Sequence, residues 1–227
     1  AFKGCSGLTE FVLGGSETVT VSQRAFHGAF AAGSTLYVNG EMLRQYVVGG
    51  DAPFSTATGA KLENVVLSDN VTVIDRRMFD DCKTLKSIKM PAGLKTINES
   101  AFQDCTGLES IELPDTLESI GPYAFSGCGK LRVELPQGSS LKTIDHNAFT
   151  GCTAMEEIII PSGVTYIGAH AFRGCTGVKQ LVIPEGITTI ANDTFSGLNL
   201  IKEIVIPDSV TSIGANAFSG CMSAEEV

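Results

Sequence analysis

The chain lacks the short signatures that mark most enzymes. Its 227 residues contain no glycine-rich phosphate loop, no His-Glu-x-x-His and no Gly-x-Ser-x-Gly. The three histidines, His27, His146 and His170, keep no fixed spacing to a serine or cysteine that would pair a nucleophile with its base. No Cys-x-x-Cys occurs among the seven cysteines, which removes the usual zinc frameworks. No run of 18 or more apolar residues is present, so no segment reads as a membrane-spanning helix. Basic charge is in deficit: 16 Lys and Arg stand against 25 Asp and Glu, for a net charge of −9. That balance argues against nucleic acid or an anionic membrane as the partner. Together these absences predict a non-enzymatic protein with no cofactor, no metal site and no membrane insertion.

What is present is a repeat. Phe79, Phe102, Phe125, Phe149, Phe172, Phe195 and Phe218, most of them preceded by Ala, follow one another at 23, 23, 24, 23, 23 and 23 residues. Cys stands three places after six of them, at Cys82, Cys105, Cys128, Cys152, Cys175 and Cys221, and Leu198 takes that place after Phe195. A period of this length and regularity predicts an elongated stack in which each copy touches its neighbours. The 43% of hydrophobic residues supports a continuous core.

One copy shows the local structure. After Phe102 and Cys105, the apolar residues Leu108, Ile111 and Leu113 precede Pro114, with Ser110 and Glu112 flanking Ile111. That alternation predicts a short strand with one buried face, ended by a proline that cannot continue a ladder. Leu117 and Ile120 point inward from a second extended stretch, Gly121-Pro122 turns the chain, and Ala124-Phe125 opens the next copy as a single helical turn. The strand recurs at Ile88, Val133, Ile158, Leu181 and Ile204, and its proline at Pro91, Pro136, Pro161, Pro184 and Pro207. No copy can bury its own apolar edge; stacking the edges can.

The N-terminal third is less regular. Ala1-Phe2 and Ala25-Phe26 keep the step, and Glu10-Phe11-Val12-Leu13 is the strand between them. Beyond Phe26, Thr35–Val38, Asn39-Gly40 and Glu41–Leu43 read as a hairpin, since Asn-Gly suits a two-residue turn. Gln45–Val48 resumes the strand, and 49–59 is a Gly/Ala/Ser/Thr-rich loop. Residues 27–60 are therefore expected to be a degenerate repeat with a hairpin and loop insertion. The chain starts and stops inside a repeat, without a signal peptide or polar caps. The expectation is a single solenoid over residues 1–227 cut from a longer chain.

The run of Ala-Phe, two residues, Cys, then Leu, two residues, Ile, one residue, Leu/Ile-Pro resembles the BspA-type leucine-rich repeat, strongly over 61–227 and moderately over 1–26. The resemblance implies an α/β leucine-rich repeat solenoid: a right-handed β-α superhelix with a parallel sheet on one face and short helical turns on the other. It implies a secreted or cell-surface protein of host-associated bacteria that adheres to a protein, such as a host extracellular protein, or to a glycan. Self-association is left open. The motif residues are structural, so the resemblance carries across no ligand-binding residue.

The cysteines all fall in one column, shared with Leu198 and Ala29, and so read as reduced, inward-facing small hydrophobes rather than disulfides or ligands. Function is expected on the outward strand positions. One column reads Val12, Val47, Val66, Lys89, Glu112, Glu134, Ile159, Val182 and Val205; its companion runs Glu10, Gln45, Asn64, Ser87, Ser110, Arg132, Glu157, Gln180 and Glu203. Ile159, Val182 and Val205 form an apolar row rimmed by Glu157, Gln180 and Glu203, a candidate partner-binding patch. Strand propensity alone also explains three β-branched residues there. Tyr37 and Asn39 in the irregular stretch are the second candidate, set against a merely tolerated insertion. The competing function is a spacer that projects another domain from a cell surface.

Overall fold

The computed structural model describes residues 2–14, 19–22, 25–39, 43–46, 52–56, 60–138 and 140–221. Each coil but the last contributes two short strands. The first five coils hold β1 (Glu10–Leu13) and β2 (Val19–Ser22), β3 (Thr35–Val38) and β4 (Leu43–Tyr46), β5 (Asn64–Leu67) and β6 (Val73–Ile74), β7 (Ser87–Lys89) and β8 (Thr96–Ile97), β9 (Ser110–Glu112) and β10 (Ser119–Ile120). The later coils hold β11 (Arg132–Glu134) and β12 (Thr143–Ile144), β13 (Glu157–Ile159) and β14 (Tyr166–Ile167), β15 (Gln180–Val182) and β16 (Thr189–Ile190), and finally β17 (Ser212–Ile213).

Odd-numbered strands up to β15 stack as one row and even-numbered strands as another, with every pairing parallel. The second row is continuous from β2 to β14, and β16 pairs with β17 as a separate two-stranded sheet. The first row pairs as β1-β3-β5-β7, then β9-β11, then β13-β15. Alternation sets which side chains go in: in β9, Ile111 is buried between exposed Ser110 and Glu112.

A stack of ten phenylalanine rings runs through the core, from Phe2 to Phe218. Neighbouring centroids lie 4.8–5.8 Å apart, close to the spacing of parallel strands. Phe54 is one of these rings, 4.8 Å from Phe26 and 5.6 Å from Phe79. The irregular stretch therefore supplies a full coil with its own aromatic rung. The sequence step hides it, because Phe26 to Phe54 is 28 residues and Phe54 to Phe79 is 25.

Three expectations are corrected. The Ala-Phe segments are not helical turns; the described residues include no α-helix. Residues two places before and two places after the ring take positive φ, as at Ser100 (54°) and Asp104 (55°) around Phe102, or Asn147 (56°) and Gly151 (75°) around Phe149. Left-handed residues on both sides interrupt a helix before it can form a turn and a half. The amides of Ser100, Phe102 and Asp104 instead donate to the carbonyls of Pro122, Ala124 and Ser126 in the next coil, at 2.7–2.8 Å. The turn face is thus a hydrogen-bonded ladder between coils.

The hairpin is the second correction. β3 pairs in parallel with β1 and β5, whereas β4 pairs with β2 and β6 in the other row. Residues 40–42, between the two strands, lie outside the described residues. Gln45 consequently sits in the second row, and Val47 lies outside the described residues. Third, Cys5 is exposed rather than inward, in the first coil. Cys82, Cys105, Cys128, Cys152 and Cys175 are buried and unbridged, and Cys221 is half-buried.

Candidate functional site

The outward residues of the first row are held in register by the ladders. Val12, Tyr37, Val66 and Lys89 are Cα partners in sequence, as are Glu112 with Glu134 and Ile159 with Val182. Tyr37 takes the column position that spacing had assigned to Val47. This follows from Thr35–Val38 being the strand of its coil.

The late apolar row is exposed where it matters. Val182 is 40% and Val205 65% accessible, among the most exposed large hydrophobic side chains of the described residues, while Ile159 is half-buried. Each follows an inward residue, buried Ile158 and Ile204 or partly buried Leu181, which turns it outward. A groove of about 540 Å³ runs between β15 and the following coil, lined by Gln180, Val182, Glu203 and Val205 with Lys179 and Lys202 at its edge. Four of the predicted residues thus share one concavity. Sequence reasoning missed the two lysines, although each directly precedes the companion-column residue of its coil.

Ile159 and Glu157 continue the same surface by one coil, opposite Val182 and Gln180. Glu157 also lines a second, larger groove. Tyr37 and Asn39 lie on the same row five coils earlier, roughly 24 Å away at the parallel-strand spacing. Asn39 is exposed and its amide donates to the Leu13 carbonyl at 2.8 Å. The two predicted candidates are therefore separate places on one face.

Ion pairs between consecutive coils run along the edge of this face. Lys86 meets Glu63, and Lys179 meets Glu156 at 3.2 Å. The hydrogen bond from Lys86, helped by a backbone bond from Gly33, holds the Glu63 carboxyl below the usual range. Among the described residues no group of three or more His, Cys, Asp and Glu is arranged to hold a metal ion. Among the described residues no helix is long and apolar enough to cross a membrane.

Stacked coils with parallel strands, inward Leu, Ile and Phe columns and a variable outward face define a leucine-rich repeat solenoid. The chain belongs to the BspA-type leucine-rich repeat family, whose model matches residues 54–138 and 132–227 in six copies. No curated protein matches the sequence. Among solved structures, the leucine-rich repeat protein of T. pallidum is 25% identical, with a TM-score of 0.56, covering 91% of this chain and 83% of that one. A leucine-rich repeat protein from Eubacterium ventriosum is 17% identical with a TM-score of 0.63, covering 88% and 67%. A leucine-rich cell surface protein from Faecalibacterium prausnitzii is 19% identical with a TM-score of 0.51, covering 95% and 82%.

Proposed function

We propose that the chain is a non-enzymatic extracellular binding module that holds a partner on the first strand row. The observation that carries this reading is the exposed pair Val182 and Val205 in a groove that Gln180, Glu203, Lys179 and Lys202 also line. An apolar centre with a polar rim is the anatomy of a protein contact, and of the two partner classes it favours protein over glycan. A cell-surface location is supported by family membership and by the description of the Faecalibacterium relative as a cell surface protein.

The test is the triple substitution Ile159→Glu, Val182→Glu and Val205→Glu. Beads coated with the protein are scored for adhesion to epithelial cells and to extracellular-matrix proteins, with circular dichroism as the fold control. A folded variant that no longer adheres supports the reading. A folded variant that adheres like the parent removes the patch from adhesion. Beads that never adhere, with either protein, leave the uninterrupted ring stack as a rigid spacer.

A further inference from the structure

One coil departs from the 23-residue step, and its departure has two parts. Between Leu131 and Val133 there is one residue, where Leu108 and Ile111 enclose two. Between Pro136 and Ile144 there are seven, where Pro114 and Ile120 enclose five. One deletion and a two-residue insertion produce the step of 24. In neighbouring coils the residue after the leucine donates to its counterpart one coil back: Lys86 to Glu63, Glu109 to Lys86, Arg132 to Glu109, and Lys179 to Glu156. No ladder joins β7 to β9 or β11 to β13, but only at the second gap is this bond, from the Glu156 amide to the Arg132 carbonyl, also absent. The inserted loop spans the break: the Gln137 side-chain Nε2 donates to the Leu135 carbonyl at 2.9 Å and to the Ile159 carbonyl at 2.7 Å.

The break opens a groove of about 830 Å³, within the size range of ligand sites. Its walls include Leu113, Pro114, Leu135 and Pro136, and five carboxylates against a single guanidinium, that of Arg132. Two of the carboxylates, Glu112 and Glu134, are direct partners in the β9-β11 ladder. Like charges opposite each other weaken a sheet. Among the described residues neither carboxylate has an ion pair or hydrogen bond, and neither Arg132 nor Lys89, the preceding member of the column, pairs with them. Elsewhere on the solenoid the opposite solution is used, with Lys95 facing Glu118 and Lys179 facing Glu156 across coils. The Glu112-Glu134 pair is a local cost without an internal cation to offset it. Among the described residues no third ligand joins the pair to make a metal site.

We propose that this groove is a docking site for an extended partner peptide that presents a lysine or arginine side chain to Glu112 and Glu134. The peptide lies along the groove over the interrupted ladder, and its basic side chain neutralises the two carboxylates. The groove adjoins the apolar row at Val182 and Val205 and shares Glu157 with its rim, but neither reading depends on the other.

The test uses fluorescein-labelled Thr-Lys-Thr-Lys-Thr-Lys and its Thr-Glu counterpart, titrated by anisotropy against the whole chain. Saturable binding of the lysine peptide only is expected. Glu112→Gln with Glu134→Gln should weaken it at least tenfold while leaving the melting temperature equal to or above the parent's. Glu118→Gln with Glu185→Gln, which removes the same charge elsewhere, should bind like the parent. Equal weakening by both double variants would show diffuse attraction to an acidic protein and overturn the site. So would a lysine peptide that fails to saturate, or a Glu112→Gln/Glu134→Gln protein that binds it normally.

Discussion

The Cys128 thiol donates to the carbonyl oxygen of Phe102 at 3.0 Å, across the boundary between two coils. The same bond recurs from Cys82 to Phe54, Cys105 to Phe79, Cys152 to Phe125 and Cys175 to Phe149, at 2.9–3.2 Å. The cysteine column therefore couples coils as well as filling space, which Leu198 does not do. Burial pushes the Cys82, Cys105 and Cys152 thiols well above their ordinary value and Cys175 up to about 12. Because the thiolate is the reactive form, a thiol reagent at neutral pH should label exposed Cys5 quickly, Cys221 more slowly, and the five buried cysteines only after unfolding. Rapid native labelling of all seven would contradict the packed column.

Phe54 should behave as a core rung despite its irregular surroundings. It is 1% exposed and stacked on both sides. Phe54→Ala and Phe125→Ala should each cost about 3–5 kcal/mol in chemical denaturation, as for other buried aromatics. A loss for Phe54→Ala far below that of Phe125→Ala would detach the irregular coil from the core.

Gly168 is required by its neighbour rather than by its own backbone angle. A Cβ there would run into the His146 amide and lie 2.7 Å from the Asp145 carbonyl carbon. Gly168→Ala should destabilise by about 1–3 kcal/mol, the range of overpacked sites. At Gly129 the nearest atom is the Thr153 hydroxyl at 3.5 Å, and Gly129→Ala should be nearly neutral. Paired thermal melts of the two variants check the contrast.

Two carboxylates should give opposite pH dependences. Burial raises the Asp80 carboxyl above its ordinary value, against the opposing pull of Arg77, whose Nε donates to it at 2.8 Å. Its contribution is full below the ordinary carboxylate range and is lost as pH rises through the raised value. Asp80→Asn should therefore gain on the parent in melting temperature as pH rises from acid to neutral. Glu63, held low by Lys86, contributes above the ordinary range and loses that contribution as pH falls through the lowered value. Glu63→Gln should fall behind the parent over the same rise. Parallel curves for both variants would contradict the assignment.

Much of the fold was legible in the residues. Period-2 alternation around Ile111 and its equivalents, the proline after each strand and the fixed Phe step were enough to stack the coils. These are short-range constraints repeated in phase, so one copy interprets the next. The candidate patch was legible for the same reason: with the register known, Val182 and Val205 had to fall side by side. Asn39-Gly40 is a good local turn signal and makes the sequence around Tyr37 read as a hairpin, because local chemistry does not say which row a strand joins. The helical turns failed similarly. Ala-Phe is compatible with a helix, but left-handed residues such as Ser100 and Asn147 are held by hydrogen bonds to the next coil, which no single copy contains.

The sequence by itself determined the period, the inward columns, the parallel stacking and the family. Each follows from apolar edges that only a neighbouring copy can bury. Tertiary structure alone decided the rest: that Phe54 completes the ring stack across a 28-residue gap, that β3 and β4 part into different rows, and that a step of 24 conceals a broken ladder. Those features depend on where one coil meets the next. A one-residue deletion and a two-residue insertion nearly cancel in the count, yet in space they separate Glu156 from Arg132 and leave Glu112 and Glu134 facing an open groove.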